Sequence, residues 1–205
     1  MQQELINQAL IDAARQNRQA DHEVDQIFIN RWSPRAFSPE KIEEETLWRV
    51  FEAARWAPSS YNEQPWRFII ARTPEDRQRF VDFLMPANQA WAHRAPVLAL
   101  VLSKKTFSHN GQPNLVSQFD AGCAWGYLAL SAWQNGLITH GMGGFDRDKA
   151  RVALGVPDDY DILAVIAIGK HGNQADLPEE TRKREFPSGR RPLSETLMEG
   201  RFQTK

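Results

Sequence analysis

Apolar residues recur every three to four positions in several stretches of the chain, which is the spacing of one helix face. The first stretch contains Leu5, Ile6, Ala9, Leu10 and Ala13. It predicts an amphipathic helix over residues 3–17. Further helices are predicted at 39–56, from Pro74 to about Leu84, at 115–135 and at 146–154. Gly136 and Gly155 follow the last two of these, where glycine commonly ends a helix.

Two nearly continuous apolar runs, residues 96–103 and 162–169, are typical of strands that are buried on both faces. Shorter apolar segments at 66–71 and 137–141 predict two further strands. Helices and strands alternate irregularly, and few connections have the length of a simple βαβ crossover. The pattern therefore predicts an α+β fold in which helices sandwich a mixed central sheet.

The length of 205 residues and the lack of a linker predict a single domain over residues 1–205. Residues 1–24 would be its N-terminal helical segment. Residues 171–205 are polar, rich in proline and arginine, and without a core-forming pattern. We therefore expect them to form an extended tail that lies over other parts of the structure.

Composition excludes several classes of function. The formal net charge is −1, so the arginines do not form the broad basic surface typical of nucleic-acid binding. No apolar run approaches the roughly 20 residues of a membrane-spanning helix, and residues 1–15 do not resemble a signal peptide. The single Cys123 excludes an internal disulfide, and the histidines lack metal-ligand spacing. We expect a cytoplasmic protein that binds no nucleic acid, membrane or metal.

A short basic run, Arg31-Trp32-Ser33-Pro34-Arg35, is the first candidate binding motif. Proline prevents a regular helix here, and alternate side chains of an extended backbone share one face. Arg31, Ser33 and Arg35 can therefore converge on one anion, and guanidinium forks suit phosphate oxygens. The alternative is a surface loop whose arginines pair with neighbouring carboxylates.

The second motif is a proline-bounded turn that leads into a strand, with the sequence Ala57-Pro-Ser-Ser-Tyr-Asn-Glu-Gln-Pro-Trp66. Its hydroxyls, amides and backbone N–H groups could surround a planar heteroaromatic ligand. Asn62 could instead satisfy its own turn backbone, and Gln64 could brace the turn. A phosphate site together with this polar turn suggests a phosphorylated cofactor.

These two runs, in this order, resemble the flavin-dependent nitroreductase family. The likeness continues through Asp120-Ala121-Gly122, through Gly141-Met142-Gly143-Gly144-Phe145, and through Gly189-Arg190-Arg191-Pro192-Leu193. It covers roughly residues 25–196. The resemblance implies the same α+β fold and an intertwined homodimer with two FMN sites in its interface. The excess of aromatic residues and the coreless tail agree with a dimer.

The resemblance also implies which residues bind FMN. They are Arg31, Trp32, Ser33, Arg35, Pro58, Ser59, Ser60, Asn62, Asn88, Gly141, Met142, Gly143, Gly144, Arg190 and Arg191. The arginines would hold the phosphate, residues 58–62 would reach the flavin from the neighbouring subunit, and Asn88 would touch the ring's pyrimidine edge. Gly143 is the implied catalytic residue, because its backbone N–H would point at flavin N5 and glycine permits a close approach. The alternative for residues 141–144 is a glycine-rich strand-to-helix turn.

The implied activity is that of an FMN-dependent NAD(P)H oxidoreductase acting by ping-pong hydride transfer through flavin N5. Nitroaromatics, quinones or activated alkenes would be the small-molecule acceptors. No G-x-G-x-x-G fingerprint is present, so NADH or NADPH would bind only transiently. Alternatives are reductive dehalogenation or flavin-fragmenting chemistry on the same fold, or a flavin sensor or store without turnover. His140 is expected to be structural, and whether Asp120 faces the flavin stays open.

Overall fold

The structure is a computed structural model that describes the backbone of residues 2–203 and the side chains of residues 8–203. The helices are α1 (Gln2–Asn17), α2 (Gln26–Asn30), α3 (Glu44–Arg55), α4 (Pro74–Val81), α5 (Pro86–Ala92), α6 (Ser117–Gln134), α7 (Arg147–Leu154), α8 (Glu179–Arg182) and α9 (Leu193–Thr196). The strands are β1 (Trp66–Ala71), β2 (Val97–Lys104), β3 (Ile138–Met142) and β4 (Tyr160–Gly169). The predicted apolar positions Leu5 and Ile6 lie outside the described side chains. No described helix is long and apolar enough to cross a membrane.

Two helix boundaries differ clearly from the predicted ones, and two short helices were not predicted. The second predicted helix starts at Glu44 rather than at Pro39, and Glu44 and Glu45 lie in its first turn, where the helix dipole favours acidic groups. The helix that begins at Pro74 ends at Val81. Helices α2 and α5 were not predicted, because each is too short for the apolar spacing to repeat.

The strands form one sheet in the order β1-β2-β4-β3. The α+β class is confirmed, but the sheet is not mixed, since every pairing between the described strands is antiparallel. Strands β2 and β3 do run in the same direction and are joined by α6, as in a parallel crossover unit. Strand β4 inserts between them and pairs antiparallel with both. Sequence spacing alone does not reveal this insertion.

Both faces of the sheet are buried, as the continuous apolar runs predict. In β2, Leu98 and Leu100 pack into one hydrophobic cluster, and Ala99 and Val101 pack into the other. Helices α3 and α6 cover the second cluster, while Phe80 of α4 and Trp91 of α5 belong to the first. Each buried leucine contributes roughly 1.5–3 kcal/mol, so this two-sided burial fixes the strand ends that carry the candidate site.

The tail after β4 is hydrogen-bonded back to the body of the chain. The backbone N–H of Gly172 donates to the carbonyl of Ala36 at 2.7 Å. Further along, the N–H of Leu193 donates to Oδ2 of Asp21 at 2.7 Å. The tail therefore runs past the basic run and then past the segment that follows α1.

Candidate active site

The basic run at residues 31–35 is an extended segment with alternating exposure. Arg31, Ser33 and Arg35 are half-buried on one side, and Trp32 and Pro34 are buried on the other. This is the shared face that the alternation predicts for the two arginines and Ser33. Trp32 is only 3% exposed and belongs to the hydrophobic core, so its side chain does not lie on that face. Its indole fills the core because even and odd positions of an extended chain point in opposite directions.

Arg31 belongs to a cluster of positive charge that reaches across the chain. Burial and the nearby charge of Arg190 lower the pKa of Arg31. Burial, Arg190 and Arg31 together lower the pKa of Arg18 to about 10. Among the described side chains, none of these three arginines forms an ion pair with a carboxylate. The cluster is therefore a set of positive charges without a carboxylate counter-ion among the described side chains.

Arg35 has a different environment, because the tail supplies a carboxylate beside it. Nη1 of Arg35 lies 3.8 Å from Oε2 of Glu185 and donates to the carbonyl of Arg184 at 3.2 Å. Oε1 of Glu185 accepts from the backbone N–H groups of Arg35 (2.7 Å) and Ala36 (2.9 Å). Burial raises the pKa of Glu185. The tail thus fixes the C-terminal end of the basic run through a buried carboxylate that the sequence did not indicate.

His140 connects the basic run to the glycine-rich loop. Its Nδ1 lies 3.1 Å from the carbonyl oxygen of Pro34, and its ring lies 4.6 Å from that of Trp91. Burial, followed by the charge of Arg35, lowers the pKa of His140 to about 4. Since a carbonyl only accepts, the neutral ring carries its proton on Nδ1. This agrees with the structural role expected for His140.

The glycine-rich loop begins at the end of β3, one residue after His140. A Cβ added at Gly144 would lie 2.9 Å from Nδ2 of Asn88, and that Nδ2 donates to the carbonyl of Gly144 at 2.9 Å. A Cβ at Gly141 would lie 3.2 Å from the Trp125 ring. Met142 is buried in the core, so only its backbone can face a ligand. The structure therefore brings Asn88 together with this loop, across the gap in sequence between them.

Gly143 is the open position of the loop. It is exposed, and a Cβ placed there would have no atom within 4 Å. No described residue accepts a hydrogen bond from its backbone N–H. The amide chosen from the sequence as the N5 donor is thus free to bind a ligand atom.

The polar turn at residues 58–64 is held in a strained conformation. Tyr61, Asn62 and Gln64 have φ values of 51°, 54° and 50°, a region that non-glycine residues rarely adopt. Oγ of Ser59 accepts from the N–H of Gln64 at 3.0 Å, and Nε2 of Gln64 donates to the carbonyl of Asn62 at 3.0 Å. The N–H of Ser60 donates to Asp120 at the start of α6 at 3.0 Å. Gln64 therefore braces the turn, and Asp120 anchors it.

The two halves of the predicted site lie at opposite edges of the sheet within one chain. The polar turn leads directly into the edge strand β1, whereas the basic run and the glycine loop adjoin the other edge strand, β3. Three strand spacings of about 4.8 Å separate these edges by roughly 14 Å. One chain therefore does not bring residues 58–62 next to the basic run.

A cavity of about 750 Å³ lies between the segment after α1 and the tail. Arg18, Arg190 and Arg191 are among its lining residues, and Val24, Phe28 and Leu193 give it apolar walls. It places the two tail arginines of the predicted phosphate site at the same end of the molecule as Arg18. No sequence motif points to Arg18, since it lies in a polar stretch and its hydrogen-bond acceptors are more than ten positions away.

Comparison with known proteins identifies the family and the fold. The chain matches the nitroreductase family over residues 29–90 and 84–170, which together span more than half of it. A solved structure described as an oxidoreductase containing FMN is 44% identical, with a TM-score of 0.87, and covers 92% of this chain and 97% of its own. A nitroreductase family protein from Clostridium difficile 630 (24% identity, TM-score 0.68, 88% of this chain and 100% of that chain) has the same fold. The NADH dehydrogenase of Thermus thermophilus is 25% identical over 83% of this chain and 92% of its own length.

Fold, site and matches together define an oxidoreductase of the class that uses FMN and NAD(P)H. Within that class, the chain belongs to the nitroreductase family.

Proposed function

We propose that this protein transfers electrons from NADH or NADPH to a nitroaromatic, quinone or activated-alkene acceptor by ping-pong exchange at one FMN. The observation that carries the proposal is the contact of His140 with Pro34. It joins the basic run, which would hold the phosphate, to the loop whose free N–H would face the reactive atom of the ring. These are the two ends that a single flavin mononucleotide would need.

The described residues fit FMN in charge and in shape. Arg18, Arg31 and Arg190 form a cationic cluster, without an ion pair to any described carboxylate, that suits a phosphate dianion. Gly143 offers a free backbone donor, and a Cβ placed there would have no atom within 4 Å, so the space beside this N–H is open for a ring. Arg31, Ser33, Arg35, Arg190 and Arg191 would hold the phosphate, and Asn88 with residues 141–144 would border the ring.

In the proposed mechanism, FMN, when bound, would supply the hydride-accepting redox chemistry. The chain's own part is binding, orientation and electrostatics. The Gly143 N–H would donate to N5 and favour the electron-rich ring at no side-chain entropy cost. The Asn88–Gly144 hydrogen bond holds the loop in place for this role. His140 is neutral at physiological pH and donates to Pro34, so it is not the proton source.

A homodimer would complete the site. Residues 58–62 lie too far from the glycine loop to line the same pocket in one chain, so they would serve the flavin bound mainly by a second copy. A partly exposed face of α6 would offer the contact surface. It consists of Phe119, Gly122, Cys123, Gly126, Tyr127 and Leu130. Phe119 is 72% exposed, and nothing lies within 4 Å of the Cβ positions of Gly122 and Gly126, so another helix could approach closely.

The class of activity is tested with the purified protein. We expect it to retain FMN, to bleach anaerobically on addition of NADH or NADPH, and to regain colour with a nitroaromatic, a quinone or an enone. Initial rates at several fixed acceptor concentrations should give the parallel double-reciprocal lines of a ping-pong reaction. Flavin that binds but is not reduced would instead identify a sensor or store. Turnover only with halogenated aromatics would identify a dehalogenase.

The composite site is tested by subunit complementation. One variant carries Arg31→Ala and Arg35→Ala, which should abolish FMN retention, and a second carries Ser60→Ala and Asn62→Ala in the turn. A mixed dimer contains one site with both defects and one site with neither, so co-expression should restore about half of the wild-type activity per mixed dimer. Sites built within one chain would show no restoration. Each variant expressed alone is the control.

A further inference from the structure

Arg18 ties three separate stretches of backbone together at the phosphate end of the site. Its Nη1 donates to the carbonyl oxygens of Ile29 at 2.6 Å and Arg31 at 2.8 Å. Its Nε donates to the carbonyl of Ser188 at 2.9 Å. One guanidinium thus joins the end of α2, the start of the basic run and the tail.

These contacts fix the positions of the two arginines that would grip the phosphate. Arg31 is bonded directly through its own carbonyl, and Ser188 lies two residues before Arg190. Because the guanidinium is planar and rigid, three donors in a fixed arrangement set the distance between the basic run and the tail. A lysine ammonium, as a compact charge on a flexible stem, would not impose that geometry.

Arg18 also adds charge where no described carboxylate compensates it. It is half-buried beside Arg31 and Arg190, without an ion pair to any described carboxylate. The three carbonyl oxygens carry only partial negative charge, so they compensate the guanidinium in part, and its repulsion with Arg31 and Arg190 would be relieved by a bound anion. Nη2 of Arg18 has no acceptor among the described residues, which leaves two donors directed elsewhere.

We infer that Arg18 is a positioning residue for the FMN phosphate. It holds Arg31 and Arg190 at the separation that the phosphate needs and adds a third positive charge beside the phosphate. The inference rests on the proposed function. It extends the site to a residue that precedes the segment matching the nitroreductase family, which begins at residue 29.

A matched control separates this role from ordinary stabilisation. Arg151, in the last turn of α7, also bonds three backbone carbonyls with one guanidinium: Val156 at 3.1 Å, Pro157 at 2.6 Å and Tyr160 at 2.9 Å. It lies at the end of α7 farther from the glycine loop. Replacing either arginine by methionine removes three comparable hydrogen bonds while keeping an unbranched side chain.

The experiment compares affinities for FMN and for riboflavin, which lacks the phosphate. Flavin-free wild-type, Arg18→Met, Arg18→Lys and Arg151→Met proteins are titrated with each flavin, and quenching of flavin fluorescence reports binding. We expect Arg18→Met to reduce the preference for FMN over riboflavin about tenfold or more, and Arg151→Met to change it less than about twofold. Arg18→Lys should recover only a minor part of the preference, because it restores charge without the three-way clamp.

An unchanged FMN preference in Arg18→Met would overturn the inference, and so would full recovery in Arg18→Lys. Should Arg18→Met fail to fold, the preference of Arg18→Lys decides alone: a wild-type value refutes the clamp, and a clear loss supports it. If the wild-type protein itself does not prefer FMN, the proposed phosphate site fails, which is a different result.

Discussion

Two buried histidines should make the protein lose stability in mild acid. Burial lowers the pKa of both His140 and His171 from 6.5 to about 4. Between these values the unfolded chain binds a proton at each histidine and the folded chain does not, so stability falls as the pH drops through this window. The stability that depends on both histidines being unprotonated is fully present above about pH 6.5 and is lost progressively as the pH falls towards 4.

The size of the effect follows from the two pKa values. One histidine with a pKa of 6.5 unfolded and about 4 folded lowers the free energy of unfolding by about 2 kcal/mol between pH 7 and pH 5. Both together should remove about 4 kcal/mol, a large part of the stability of a typical domain. The raised pKa of Glu185 acts in the opposite direction, because the folded state holds that proton more tightly as the pH falls. When the pH dependence of a histidine variant is compared with that of the wild type, the contribution of Glu185 cancels, because both proteins retain this residue.

The assay is urea unfolding at several pH values from 5 to 7.5, with FMN and protein concentrations held constant. His140→Gln keeps an amide donor for the Pro34 carbonyl but cannot titrate. We expect its loss of stability from pH 7 to pH 5 to be about 2 kcal/mol smaller than that of the wild type. His93→Gln, at an exposed histidine, is the control for the substitution itself. Equal pH dependence in His140→Gln and wild type would refute the assignment of a low folded-state pKa to His140.

Three further substitutions probe the site. Gly143→Pro removes the proposed N5 donor and should slow flavin reduction by NAD(P)H by about 10²-fold or more in stopped-flow measurements. The control Gly143→Ala keeps the N–H and should react nearly normally. A normal rate in the proline variant would mean that another amide faces N5. Gly144→Ala places a methyl group 2.9 Å from Nδ2 of Asn88, so it should shift the Asn88–Gly144 hydrogen bond and weaken FMN binding. An unchanged FMN affinity would show that this hydrogen bond does not support the ring. Glu185→Ala leaves the backbone N–H groups of Arg35 and Ala36 without an acceptor, so it should lower the free energy of unfolding in urea by about 2–4 kcal/mol. Glu185→Gln keeps an acceptor oxygen and should lower it less. Equal losses in the two variants would argue against these two hydrogen bonds.

Sequence patterns predicted those features of the fold and site that depend on residues close to one another in the chain. The buried strands β2 and β4 and the alternating exposure of residues 31–35 follow from side-chain character and spacing, so the sequence contained them. Trp32 was assigned to the site through the family resemblance, together with the rest of the basic run, and the alternation of that run places its side chain in the core. What could not be predicted depends on contacts distant in sequence, such as the insertion of β4 between β2 and β3. Glu185 is of this kind, because it bonds residues 35 and 36 from about 150 positions away.

The long-range contacts explain why a tail without a core pattern has a defined course. Arg18 bonds Ser188, Glu185 bonds the end of the basic run, and Arg190 lies beside Arg31, so several of the contacts that attach the tail lie among the groups that surround the proposed phosphate. Few apolar side chains of the tail are buried to hold it by themselves. In the absence of an anion, the three clustered arginines repel one another and oppose this attachment. A bound phosphate would reverse the sign of that term, so cofactor binding and docking of the tail should behave as one coupled equilibrium.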